Sequence, residues 1–146
     1  MKHKILYLFL SSAVLLTACL KTVQPPPPPP VPSGTFTGVY KRFHRSTGTG
    51  PYDTVQTNLT VKFSIPDYTY TVTGDTSTIH AGSYGAFGIT SPYIGFADKT
   101  YSAKSTSTKA HLNGYYNYSY DGTNLLIYAT SSDTLLIGYT LKKSSN

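Results

Sequence analysis

Glutamate and tryptophan are absent from this chain of 146 residues, and cysteine and methionine occur once each. The missing glutamate weighs against helices, which draw on it freely as a good helix former. All six acidic residues are aspartate. With Cys19 as its only cysteine, the chain has no intramolecular disulfide in any redox compartment. Acids are outnumbered by 12 basic residues, for a net charge of +6. The basic residues form no stripe: Lys41, Arg42 and Arg45 make one small group, and Lys104 and Lys109 lie in a polar stretch. Nucleic acid is therefore not an expected partner. Long hydrophobic runs are also missing. The longest apolar stretch, residues 5–16, is interrupted by Ser11 and Ser12 and is too short to span a bilayer as a helix.

That stretch follows the positive start Met1-Lys2-His3-Lys4 and leads into Leu16-Thr17-Ala18-Cys19. The pattern is that of an export signal. One reading is an ordinary secretory signal ending at a small-residue cleavage site. The other rests on the cysteine: Leu-Thr-Ala-Cys resembles a bacterial lipobox. That resemblance implies cleavage before Cys19, diacylglyceryl on its thiol and a palmitate-type acyl group on its freed amine. The membrane then becomes a partner through the lipid anchor at Cys19, since each buried methylene contributes about 0.8 kcal/mol. Cleavage leaves 146 − 18 = 128 residues, with ten basic against six acidic groups. No acid occurs in residues 20–33; by the same resemblance, this implies an outer-membrane protein facing the periplasm.

Pro25 to Pro30 is an unbroken run, with Pro32 just beyond. Such a run adopts polyproline II at about 3.1 Å per residue, so residues 25–32 reach roughly 25 Å. This proline-rich linker reads as a tether between anchor and domain, the alternative being a ligand for a proline-reading domain. The expected organisation is a signal at 1–18, a lipidated tether at 19–33, one domain at 34–143 and a short tail at 144–146.

Within the domain the sequence alternates with period two. Residues 35–44 form a first strand, followed by a polar loop at 45–53. Val55, Leu59, Val61 and Phe63 then alternate with polar neighbours, as do Tyr68, Tyr70 and Val72 after a turn at Ile65-Pro66-Asp67. A fourth strand over 79–89 is interrupted by Gly82, Gly85 and Gly88, a pattern of bulges or sharp coiling. Strands over 93–97 and 111–120 flank a polar loop at 98–110. Asp121-Gly122 signals a hairpin turn, and strands at 125–130 and 134–141 meet at residues 131–133. Eight strands joined mostly by short turns predict an all-β, eight-stranded antiparallel up-and-down meander, closed into a barrel that leaves no exposed edge. A β-sandwich is the competing architecture.

Gly34-Thr35-Phe36 opening the first strand of such a meander resembles the bacterial lipocalin-like (calycin) lipoproteins over residues 34–142. Phe36 stands where that family usually has Trp, and its Thr-Asp-Tyr signature is absent. The resemblance implies a small apolar or amphipathic ligand in the barrel's cup and assigns no particular residue to it.

The residues themselves show little chemistry. Every Asp falls at a strand end or turn, where its side chain bonds nearby amides. His44, His80 and His111 lack metal-ligand spacing and read as polar-face residues; neither a metal nor a cofactor is expected. Ala81-Gly82-Ser83-Tyr84-Gly85 approaches a nucleophile elbow but sits in β-like sequence rather than at a strand-to-helix turn, so no enzyme is expected. The tyrosines remain. Cross-strand packing accounts for them; a ligand pocket lined by rings and hydroxyls is the functional alternative. Its candidates are Tyr68, Tyr70, Tyr116 and Tyr118, which share a face with the apolar positions of their strands. The expected function is ligand binding by a tethered barrel. The alternative is a structural or protein-interaction lipoprotein whose barrel is filled by its own side chains.

Overall fold

A computed structural model describes residues 30–104, 106–132 and 135–145. The export signal, Cys19, most of the proline tether and residues 133–134 lie outside them.

Eight strands follow one another: β1 (Gly34–His44), β2 (Asp53–Ser64), β3 (Thr69–Gly74), β4 (Ser83–Thr90), β5 (Tyr93–Asp98), β6 (Gly114–Tyr120), β7 (Asn124–Ser132) and β8 (Leu135–Lys143). Each pairs antiparallel with the next, and β8 pairs with β1 to close a barrel. The up-and-down meander is thus the observed architecture, and the sandwich is not. No helix forms among the described residues.

Alternation sets the inside and the outside. In β2, Thr57, Leu59, Val61 and Phe63 are buried, while Gln56, Asn58 and Lys62 are exposed. The register carries this inward set around the wall: Val61 pairs with Phe36 and Val72, and Phe63 with Tyr70. Apolar-in, polar-out along β2 is the reverse of a membrane-spanning strand, whose outer face is apolar. Two inward glycines let the small barrel bend. A Cβ on Gly38 would overlap the Thr140 carbonyl oxygen, and one on Gly85 that of Ala97.

Several strand ends differ from the sequence expectation, three of them most clearly. The fourth strand starts at Ser83 rather than residue 79, because residues 79–81 bond elsewhere: Ala110 N–H donates to Ile79 O, and Ala81 N–H to Ala110 O. The sixth starts at Gly114 rather than residue 111; Gly114 has φ +97°, which ends extended pairing on its N-terminal side. Residues 131–132, expected in a turn, continue β7. The Asp121-Gly122 turn is as expected, with Gly122 at φ +97° and the Asp121 carboxylate accepting from the Thr123 and Asn124 amides.

Candidate functional site

The interior is occupied by rings in mutual contact. Phe63 meets Phe36 edge-on at 5.6 Å and Phe87 at 5.0 Å. Phe96 meets Tyr70 at 5.0 Å and Tyr116 at 5.9 Å, and Tyr116 meets Tyr139 at 6.0 Å. Tyr139 and His80 both pack on Tyr40, at 5.0 and 4.9 Å. Such edge and tilted pairs add to the burial of each ring.

The four candidate tyrosines separate. Tyr70 is buried and its hydroxyl donates to Leu112 O at 2.6 Å. Tyr116 is buried and donates to Asn113 O at 3.1 Å. Tyr118 packs against the same core, and its buried hydroxyl has no hydrogen-bond partner among the described residues. Tyr68 stands apart: it lies in the β2–β3 turn at φ 51°, half exposed, with its ring tilted over Phe87. Burial raises the Tyr70, Tyr116 and Tyr118 hydroxyls above the ordinary tyrosine value, so all three remain neutral at physiological pH.

His80, expected on a polar face, is instead wholly buried at the end of the barrel where the β3–β4 and β5–β6 connections meet. Its Nδ1 lies 2.6 Å from Ala81 O, an acceptor only, so Nδ1 carries the proton. Nε2 then accepts from the Tyr139 hydroxyl at 2.9 Å. Burial lowers its pKa to about 4, against the opposing Ala81 hydrogen bond. Leu112, also fully buried, packs into the same core from the β5–β6 connection. In the structure both residues lie outside the strands; Leu112 keeps the period-two parity of Tyr116 and Tyr118, which signals its burial, whereas no periodic signal marks that of His80.

Nearby, Asp98 Oδ2 lies 2.7 Å from His111 Nδ1, and Asp98 Oδ1 accepts from the Thr100 amide and hydroxyl. The expected strand-end role of Asp98 is therefore present, with a histidine contact added. Among the described residues no three potential ligands group to hold a metal ion.

The outer wall is different. Across β4 and β5, Thr90 pairs with Tyr93, Gly88 with Gly95 and Ala86 with Ala97. The glycine and alanine pairs carry almost no side-chain bulk, and they floor a groove of about 430 Å³. On the β6 side Gly95 pairs with Tyr115, whose ring crosses the glycine: a Cβ there would lie 2.9 Å from Tyr115 Cε1. Tyr115 is 85% exposed, and Tyr93 and Tyr84 about half exposed. The groove thus offers rings and hydroxyls over a backbone floor. It is hidden from sequence reasoning because it depends on register: Gly88 and Gly95 become a floor only when paired.

A second groove, of about 320 Å³, lies outside β1, β8 and β7, where Phe43, Leu126, Tyr128 and Leu136 surround Gly138 beside Lys41. Compared with protein families, curated proteins and solved structures, the chain matches none at a significant level.

Proposed function

We propose that this protein is a lipid-anchored lipoprotein of the cell envelope whose lipocalin-like barrel binds a small amphipathic ligand. The anchor is Cys19, and the outer membrane, with the barrel facing the periplasm, is its location. The ligand sits on the outer wall, in the groove over β4 and β5, rather than in the cup. One observation carries this: rings occupy the interior, while the open groove over Gly88 and Gly95 is flanked by exposed Tyr93 and Tyr115. Its volume falls in the range of small-ligand sites.

The test uses the full-length protein in detergent. Mass spectrometry of the N-terminal peptide is expected to find acylated Cys19; an unmodified cysteine refutes the anchor. Fatty acids, hydrophobic metabolites and short glycans are then screened by thermal shift. A ligand at about 100 times its dissociation constant adds about 2.7 kcal/mol of stability. Gly88→Leu adds bulk to the groove floor at a position where a Cβ meets nothing within 4 Å, and is expected to remove the shift. A shift retained in that variant refutes the site.

The apolar patch around Gly138 supports a second reading, a protein-contact module with a filled barrel. A screen with no ligand, together with a stable protein partner lost in Leu126→Asp, favours it.

A further inference from the structure

The β4–β5 groove also limits what its ligand is. None of the residues lining it is charged, although the chain is strongly basic. Phosphate-bearing ligands, nucleic acid included, draw their affinity from cations at the site, and this floor has none. A strand-forming peptide binds a sheet by adding a strand to a free edge, and the closed barrel has no free edge; a proline-rich peptide docks on an aromatic groove without one and is therefore a contrast in the experiment. An acyl chain needs enclosure along its length to leave water, and a groove floored by glycine and alanine on an outer wall leaves one side wet.

What remains is a ligand with flat apolar faces and a rim of hydroxyls. Resting on the proposed site above, we infer that the groove binds a neutral glycan chain. The apolar face of a sugar ring stacks on Tyr115 and Tyr93, and its hydroxyls meet those of Tyr93, Tyr115 and Thr90, all on the same outer face. Tyr84 lies on that face two residues before Ala86. From Ala86 to the Thr90–Tyr93 row, the span of β4 that lines the groove, is four residues, about 13 Å at roughly 3.3 Å per residue. That length suits several linked sugars rather than one.

The experiment is affinity electrophoresis and calorimetry on the full-length protein in detergent. The probes are neutral α- and β-linked glucans, mannans, xylans, galactans and chitin oligosaccharides, with an anionic polysaccharide, a proline-rich peptide and a fatty acid as contrasts. At least one neutral glycan is expected to bind, longer chains more tightly than the monosaccharide. Tyr115→Ala, at a position 85% exposed, is expected to keep the wild-type melting temperature and weaken binding about tenfold; Gly88→Leu abolishes it. No binding to any neutral glycan overturns the inference, as does glycan binding indifferent to both variants. If the peptide or fatty acid binds instead and Gly88→Leu abolishes that, the glycan inference fails while the site stands. If no neutral glycan binds and the binding of the peptide or fatty acid survives Gly88→Leu, the site fails as well.

Discussion

Acidification from pH 7.5 to 5 should weaken the barrel through one residue, His80. The native state holds it neutral, with Nδ1–H on Ala81 O and Nε2 accepting from Tyr139. Burial lowers its pKa from 6.5 to about 4. Well above pH 6.5 neither state is protonated and the full stability is present. As pH falls below 6.5 the unfolded chain takes up a proton that the native state refuses, so stability declines until pH passes about 4. The total is about 3 kcal/mol, of which about 2 kcal/mol is lost by pH 5. Asp75 and Asp121 have lowered values through their hydrogen bonds, Asp121 to about 2, and their losses fall at lower pH. Urea unfolding followed by circular dichroism at pH 7.5, 6 and 5 measures the slope. His80→Gln, without a titrating group, should be less stable at pH 7.5 and flatter in pH. Equal stability of the wild type at pH 7.5 and 5, or an unchanged slope in His80→Gln, refutes the reasoning.

Two further outcomes follow from packing. Gly85→Ala drives a Cβ into the Ala97 carbonyl and should cost about 3 kcal/mol or more in chemical denaturation, whereas Gly88→Ala, with open space, should be neutral or slightly stabilising; equal effects contradict the role of Gly85 in the bend. Tyr40→Phe removes a buried hydroxyl that has no hydrogen-bond partner among the described residues, and should leave the melting temperature unchanged or raise it. A drop of several degrees shows that this hydroxyl is bonded.

The strand order is legible in the sequence because β2 and β3 alternate cleanly and turn residues punctuate the rest. Period two also puts Tyr70 and Tyr116 on the inward face. Boundaries are illegible where pairing is non-local: residues 79–81 bond to Ala110, which lies beyond both β4 and β5, and no local pattern announces that. His80 reads as a polar-face residue because its burial depends on two connections folding over the barrel's end. Tyr68 shares the parity of Tyr70 and Val72 but precedes β3, so parity does not govern its direction. Tyr115, one residue from a candidate, faces the opposite side of the wall.

Whether the ligand lies outside a ring-filled barrel is tested most directly by chemical-shift mapping. Isotopically labelled full-length protein in detergent micelles is titrated with the tightest-binding probe and followed by nuclear magnetic resonance. Shifts are expected to concentrate at Gly88, Thr90, Tyr93, Gly95 and Tyr115, with Tyr40, His80 and Tyr139 unmoved. Shifts concentrated on Tyr40, Tyr70, Tyr116 and Tyr139, with the outer wall of β4 and β5 silent, would contradict an external site and return the ligand to the cup.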